Sequence, residues 1–251
     1  MTLPMVIGDA AQEGDRDTVI AWLDAGGSID DFDEEGYSLL HCCACGEHEG
    51  NFQGDVIGDA HVALARHLIA LGADVNNSTS AGYTAFHYIV QRKREPQAVL
   101  EMLSLFLGAG ANVNARTVTS YGGSMPLDLA IQHDPSTLRT TIVTELLRAG
   151  ASLDACRGDE SAEDVVRTKE LSRPNLAENE DWRAIKRLVA GVRQHGSYKR
   201  YARSFHRDVL AVRGLAQRGK LSTSDPVLNF LARLGDNGVV WHVLEYWRAT
   251  N

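Results

Sequence analysis

Four copies of one helix-ending signature constrain the fold of this chain more than any other feature of its sequence. Each copy is an apolar segment that ends near a glycine and continues into an extended stretch: WLDAGGSID, HLIALGADVN, LFLGAGANVN and ELLRAGASLD. A helix end favours glycine because a residue without Cβ adopts the left-handed conformation at no steric cost. The glycines are Gly26, Gly72, Gly110 and Gly150, separated by 46, 38 and 40 residues. This recurrence predicts an array of short helical units.

A second signature opens a helix shortly after three of these glycines. It reads GYSLLH from Gly36, GYTAFH from Gly82 and GSMPLD from Gly123, with a fainter copy, ESAED, from Glu160. Thr84 suits the N-cap position because its hydroxyl can satisfy an orphan amide of the following helix. Together the two signatures resemble the ankyrin repeat, which has Thr-Pro-Leu-His at this place. Ankyrin repeats run about 33 residues, so the longer spacings imply an insertion in each copy.

The resemblance implies an all-α fold: an ankyrin-repeat solenoid of four repeats plus a partial fifth over residues 5–167, followed by a C-terminal helical bundle. The chain opens inside repeat one. Two residues of the third helix-opening copy depart from its neighbours, since Met125 replaces the capping threonine and Pro126 is the only proline in its slot. Insertions fall between paired helices at 47–60, 92–96 and 133–136, and in one finger at 117–122.

Beyond residue 167 the repeat signal stops, and the pattern predicts three domains: an ankyrin domain at 1–170, a linker at 171–180 and a basic helical bundle at 181–251. A helix over 181–195 places four apolar residues on one face, and helices are expected at 198–218, from Pro226 and near 238–248. The four residues are Trp182, Ile185, Val189 and Val192. Charge divides the same way, because residues 1–182 sum to −17 and residues 183–251 to +9.

Composition favours an ordinary folded protein in a reducing cytoplasmic or nuclear setting. No window approaches the roughly 20 apolar residues that span a bilayer, so no membrane association is expected. The N-terminal sequence lacks the basic and apolar regions of a secretion signal. Three of the four cysteines are bunched at Cys42, Cys43 and Cys45, which does not indicate a disulfide framework.

No catalytic constellation and no cofactor-binding motif stands out. His41 and His87 occupy the fourth place of the Thr-Pro-Leu-His motif, where the resemblance implies hydrogen bonds to the backbone of a neighbouring repeat. Cys42, Cys45 and His48 have ligand-like spacing for zinc. Buried cysteines also serve as small hydrophobic residues, and this interpretation is preferred, so no metal is predicted.

Partner binding is expected at finger tips and first helices, the surfaces that ankyrin proteins use. By resemblance the contact residues are Glu34, Glu35, Tyr37, Cys45, Ser80, Tyr83, Gln91, Tyr121, Ser124 and Gln132. Tyrosine is favoured at interfaces. The finger Asp30–Glu35 holds five mutually repelling carboxylates, which are relieved either by solvent or by a cationic group. The predicted function is therefore a non-catalytic protein-interaction module or adaptor, whose protein partner the sequence does not identify.

Two other functions remain open. The segment from Leu234 to Trp247 is similar to the opening of an F-box, with Gly235 in place of the usual proline, which implies a substrate adaptor that recruits a ubiquitin-ligase component through Trp241 and Trp247. Residues 183–220 hold eleven Lys and Arg against Asp208 alone, a composition that also suits nucleic-acid backbone. Nucleic-acid binding ranks last because the chain carries a net charge of −8.

Overall fold

The computed structural model describes residues 2–46, 56–118, 120, 122–154 and 157–204, together with residues 214 and 218. These residues are mostly helical and form no strand longer than an isolated bridge. The helices are α1 (Met5–Gln12), α2 (Arg16–Asp24), α3 (Leu39–Cys45), α4 (Asp59–Ala70), α5 (Ala85–Ile89), α6 (Pro96–Gly108), α7 (Pro126–Gln132), α8 (Thr137–Arg148), α9 (Ala162–Ser172) and α10 (Glu180–His195), with a 3-10 helix at Pro174–Glu178.

The helices stack in two layers. An inner layer is formed as α1 packs on α3, α3 on α5, α5 on α7 and α7 on α9. An outer layer is formed as α2 packs on α4, α4 on α6 and α6 on α8. The core lies between the layers, where Leu68, Phe86 and Phe106 are fully buried. Each inner helix joins the following outer helix in one pair, so the chain advances by one pair at a time.

The predicted helix ends are confirmed. Gly72 has φ +99°; its N–H donates to the Ile69 carbonyl at 3.0 Å, and the Ala73 N–H donates to the Leu68 carbonyl at 3.0 Å. These two bonds form a Schellman motif, which requires the left-handed conformation at the glycine. The same pair of bonds and a positive φ recur at Gly26, Gly110 and Gly150. The repeated signature is therefore the sequence of one repeated helix cap.

The segments that connect each outer helix to the next inner helix are here called fingers (residues 27–38, 73–84, 111–125 and 151–161). Hydrogen bonds from side chains, repeated from finger to finger, join them. Asn76 Oδ1 accepts from the Asn112 N–H at 2.7 Å and Asn76 Nδ2 donates to the Gly110 carbonyl at 3.2 Å. Asn114 makes the equivalent bonds to Ser152 and Gly150. Asp30, four residues after Gly26, accepts from the Asp74 N–H. One polar side chain in each finger thus fixes the position of the next.

Gly82 is required where the second and third fingers approach each other closely. It has φ +79°, and a Cβ at this position would lie 2.9 Å from the Val118 nitrogen and 3.0 Å from the Arg116 oxygen. The Val118 N–H donates to the Ala81 carbonyl at 2.9 Å in the same place. A side chain here would force these fingers apart.

His41 and His87 link successive inner helices to the next finger, as predicted. Thr84, the N-cap of α5 as expected, donates its backbone N–H to His87 Nδ1 at 3.0 Å. Nδ1 therefore carries no proton, and Nε2, 3.1 Å from the Ala115 carbonyl oxygen, must be the N–H donor. His41 repeats the arrangement between Ser38 and the Tyr83 carbonyl. Both imidazoles act as neutral bridges that need one defined tautomer.

A third set of bonds caps the C-terminal ends of inner helices with donors from the following helix pair. His61 Nε2 lies 2.7 Å from the Gln12 carbonyl oxygen. The buried Arg139 guanidinium donates to the carbonyls of Val90 and Arg92, the latter at 3.0 Å. Lys169 donates to the carbonyls of Ile131, at 2.8 Å, and His133. Helix C-termini favour cations because their carbonyls are unsatisfied and carry partial negative charge.

The expected linker at 171–180 contains the last two residues of α9 and the 3-10 helix, whose Leu176 is buried. Helix α10 buries Trp182, Ile185, Val189 and Val192, so the predicted apolar face is confirmed. The chain divides into two compact units, Met1–Ala190 and Gly191–Asn251, with the division inside α10. A further helix begins at Tyr198. The rest of the predicted bundle lies outside the described residues, and the three-domain division stays a prediction.

Replacing Asn76 with alanine should weaken the joint between two fingers. The change removes the bonds to Asn112 and Gly110, and each is worth about 0.5–1.5 kcal/mol. We expect a loss of about 1–2 kcal/mol in the free energy of unfolding, measured by urea denaturation. Asn175→Ala, on the exposed side of the 3-10 helix, serves as the control and should stay within about 0.5 kcal/mol. Equal effects of the two changes would contradict a stabilising ladder.

Acid should destabilise the array through His87. Burial lowers the pKa of His87 from 6.5 to about 4, although the hydrogen bond to Ala115 opposes the shift. The unfolded chain therefore takes up the proton first, and stability falls as pH drops from about 6.5 towards 4. Between pH 7.5 and 5 this one group should cost the wild type roughly 2 kcal/mol.

The comparison is with His87→Gln, measured by urea denaturation at both pH values. This variant should be less stable at pH 7.5, yet its loss on acidification should be smaller than that of the wild type by roughly the same 2 kcal/mol. A pH dependence unaltered by His87→Gln would refute the neutral bridge.

Candidate protein-binding surface

The sequence-predicted contact residues fall into three groups by exposure. The exposed ones are Glu34, Glu35, Ser80 and Gln132; the half-buried ones are Tyr37, Cys45, Tyr83 and Gln91. Ser124 is only 5% exposed; its backbone is bonded to Thr117 in both directions. Its assignment as a surface contact is therefore wrong. Tyr121, Trp241 and Trp247 lie outside the described residues.

Tyr37 and Tyr83 belong to one aromatic cluster, and its centre is a residue that sequence reasoning missed. Tyr88, on α5, lies with its ring centroid 5.7 Å from that of Tyr37 and 5.5 Å from that of Tyr83. The hydroxyls of Tyr37 and Tyr88 are 2.8 Å apart and share a hydrogen bond. The two histidine bridges border the cluster, His41 against Tyr37 and His87 against Tyr83. Three half-buried tyrosines therefore span the joint between two helix pairs.

The repeat pattern did not predict Tyr88, because the equivalent position in the second and fourth helix pairs is not aromatic. The residue after the motif histidine is Cys42 in the second pair, and Leu129 follows Asp128 in the fourth. The available signal was that Tyr88 lies one turn beyond Thr84, on the helix facing α3. Burial raises the pKa of both Tyr37 and Tyr88. The two phenols thus remain neutral, and the hydroxyl pair acts as a hydrogen-bonding unit.

The acidic finger is less open than its sequence indicates. Asp33 Oδ1 accepts from the backbone N–H groups of Glu35, at 3.0 Å, and Tyr37, at 2.7 Å. Asp30 Oδ1 accepts from Asp74 and Asn77 of the next finger, and Asp31 is 8% exposed. Hydrogen bonds from backbone and amide N–H groups thus offset much of the repulsion among these carboxylates, a role that the sequence indicated for solvent or a cation. Glu34 and Glu35 are the exposed carboxylates of this finger, beside the tyrosine cluster.

Polar side chains at the cluster's margin are positioned by the same backbone. Ser80 donates its hydroxyl to the Glu35 carbonyl at 3.0 Å. Gln91 Nε2 donates to the His87 carbonyl at 2.9 Å, which leaves its amide oxygen as an acceptor. Gln132, one helix pair further on, donates to Asp128. The surface therefore combines fixed aromatic rings with polar groups whose orientation is set by internal bonds.

Asp128 marks a break in the histidine pattern. It takes the place of the motif histidine and is fully buried, with Oδ2 lacking a hydrogen-bond partner. Burial raises its pKa, against the lowering by hydrogen bonds from Ser124 and Gln132. An ionised carboxylate cannot donate to the next finger as an imidazole does. The bridge found at His41 and His87 is consequently not repeated in the same chemical form at the fourth helix pair.

The cysteine cluster is buried within the array. Cys42 is 2% exposed and Cys43 is fully buried, donating its thiol to the His61 carbonyl at 3.0 Å. Burial raises the pKa of Cys42 and raises that of Cys43 to about 12, so these are not reactive thiolates. His48, the third residue of the zinc hypothesis, lies outside the described residues. The described part of the chain contains no group of three or more His, Cys, Asp or Glu side chains that could hold a metal ion.

A search for membrane-crossing segments among the described residues finds no helix with sufficient length and apolar character.

The family model of the ankyrin repeat matches residues 81–118, the stretch that holds α5, α6 and the finger after them. A search of curated proteins gives no match. The matched stretch includes the Thr84–His87 cap, the Schellman motif at Gly110 and two of the three clustered tyrosines. Residues 81–118 therefore resemble an ankyrin repeat in both sequence and structure.

Proposed function

We propose that this chain is a non-catalytic protein-interaction module, an adaptor that binds a protein partner through its inner helices and finger tips. Ankyrin repeats generally bind other proteins, and residues 81–118 resemble such a repeat. The single observation that carries the proposal is the cluster of Tyr37, Tyr83 and Tyr88, which remains half-buried while its rings are held in place.

Fixed tyrosines suit binding because little side-chain entropy remains to be lost on association. Tyr37 is held by the hydroxyl pair with Tyr88 and by ring contact with His41. A rigid aromatic surface reduces the cost of ordering an interface, and tyrosine presents both an apolar face and a hydroxyl. The exposed Glu34 and Glu35 add negative charge at one margin, which favours a partner with basic residues at that point.

The same proposal extends the ankyrin assignment beyond the matched repeat. The pairs α1–α2, α3–α4, α5–α6 and α7–α8 are four repeats, and α9 opens a partial fifth. Recurrence of the Schellman motif and the asparagine ladder supports this count. We also propose the division into an ankyrin domain at 1–170, a linker at 171–180 and a basic bundle at 181–251. A cytoplasmic or nuclear location is likewise proposed.

The other two functions lack a structural observation in their favour. Trp241 and Trp247, on which the F-box-like adaptor depends, lie outside the described residues. Within the described part of the basic segment, Lys186 is paired with Glu170 at 2.7 Å and Arg183 donates to the Ala177 carbonyl. Both cations are thus engaged within the chain, and neither ubiquitin-ligase recruitment nor nucleic-acid binding gains support from them.

Truncating Tyr83 should weaken partner binding. The partner is first isolated by affinity capture with the full chain and identified by mass spectrometry, and its dissociation constant is then measured by calorimetry with purified proteins. We expect Tyr83→Ala to raise that constant at least about tenfold, the range for a central aromatic contact. Leu71→Ala removes an apolar side chain, 54% exposed, from the outer layer and should leave it unchanged.

A charge variant separates the acidic margin from the aromatic centre. Glu34→Gln with Glu35→Gln should weaken binding less than Tyr83→Ala, with an effect that shrinks as salt is added. The matched control is Asp17→Asn with Asp24→Asn, two exposed acids of α2. Partner affinity that is unaffected by Tyr83→Ala, in a variant that keeps its circular dichroism spectrum, would exclude this surface as the binding site.

A further inference from the structure

Positive charge is concentrated at one edge of an otherwise acidic array. Residues 1–182 contain 12 Lys and Arg, and half of them lie on this edge, here called the basic edge. It is formed by the α5–α6 turn, the α7–α8 turn with the first turn of α8, and the last turn of α9 with the residue after it. Its cations are Arg92, Lys93, Arg94, Arg139, Lys169 and Arg173. Its acids are Glu95, Asp134 and Glu170.

Two of these cations are buried without a carboxylate partner. Arg139, 2% exposed, and Lys169, 9% exposed, bond to backbone carbonyls, and no described residue forms an ion pair with either. Lys169 Nζ also lies 4.8 Å from the centre of the Trp182 ring. Asp134 pairs with the exposed Arg173 at 2.5 Å, and Glu170 pairs with Lys186 of α10 at 2.7 Å. The edge thus keeps an excess of positive charge.

The pKa values of groups at this edge reflect the excess of positive charge. The pKa of Lys169 is lowered to about 8, chiefly by burial and also by Arg173 and Arg139, against the opposing effect of Asp134. Burial lowers the pKa of His133 to about 4, with added effects of Arg139, Lys93 and Lys169. These groups therefore lie close enough to repel one another, and an anion placed among them would be stabilised.

We propose that the basic edge is a docking site for a short acidic peptide segment of a protein partner, in which Lys93, Arg94 and Arg173 pair with its carboxylates. All three side chains are exposed. Lys169 and Arg173 also line a cavity of about 230 Å³ beside α9, together with Arg157 and Glu160. This cavity has room for a single carboxylate side chain at one end of the edge.

Size and charge favour a short acidic segment over a longer polyanion. The edge crosses three successive inner helices spaced roughly 10 Å apart, a span of about 20 Å that six extended residues cover. Residues 1–182 as a whole carry a net charge of −17, which repels a nucleic acid or an anionic membrane surface. At physiological salt, charges interact mainly within about 8 Å, so a segment confined to the edge experiences chiefly attraction. This site is separate from the tyrosine cluster and does not depend on the function proposed for it.

The test is fluorescence anisotropy with a labelled peptide of about six alternating glutamates and aspartates, a length set by the span above. The comparison peptide carries glutamine and asparagine at the same places. We expect saturable binding of the acidic peptide to the full chain at about 0.15 M salt and none of the amide peptide. The triple change Lys93→Gln, Arg94→Gln and Arg173→Gln should weaken binding at least about tenfold.

A matched control holds the net charge change constant. Arg66→Gln, Arg148→Gln and Arg167→Gln also remove three exposed cations, each from a surface ion pair, and should leave peptide binding within about twofold. Melting curves confirm that both triple variants remain folded. Equal weakening by the two triples, absence of saturable peptide binding, or tighter binding of a single-stranded oligonucleotide or phosphatidylserine vesicles than of the acidic peptide would overturn the proposal.

Discussion

Hydrogen bonds from side chains to the backbone of the next helix pair are the interaction on which this array depends. Apolar layers alone would let adjacent pairs slide, because burial is not directional. Asn76 and Asn114 fix the fingers, and His41 and His87 fix α3 and α5 to the finger that follows each of them. All of these bonds cross from one pair to the next. Since each pair contacts mainly its neighbours, stability is set by such interfaces rather than by any one helix.

The parts of the fold that recur in sequence were predictable, and the reason is geometric. A left-handed residue at a helix end strongly selects glycine, so Gly26, Gly72, Gly110 and Gly150 revealed the helix ends directly. The apolar face of α10 was equally predictable, because apolar residues spaced three and four apart indicate one face of a helix. The 3-10 helix at Pro174–Glu178 was not predicted. Its short polar sequence carries only Leu176 as a buried anchor, too little to distinguish it from a linker.

The candidate site was predicted in outline and missed at its centre. Tyr37 and Tyr83 precede helices in the repeated motif, so alignment found them. Tyr88 occupies a variable position, and its importance comes from a partner 51 residues away, the Tyr37 hydroxyl. Ser124 was assigned to the surface by alignment, yet the longer finger that contains it folds back and bonds it to Thr117. Pairings between distant positions, and inserted loops, are the features that a repeat pattern does not encode.

Charge in this molecule illustrates why sequence clusters mislead about surfaces. The acidic run Asp30–Glu35 looks like an open patch, but Asp30 and Asp33 hold backbone N–H groups, and the finger exposes chiefly Glu34 and Glu35. The basic edge shows the opposite case. Its members are spread from residue 92 to 173, and only the stacking of helix pairs brings them together. The buried Arg139 and Lys169 cap helix carbonyls. Their charges therefore have a structural role, and their electric field extends to the surface. Stacking therefore hides part of a contiguous acidic run and creates a basic surface that no local sequence window contains.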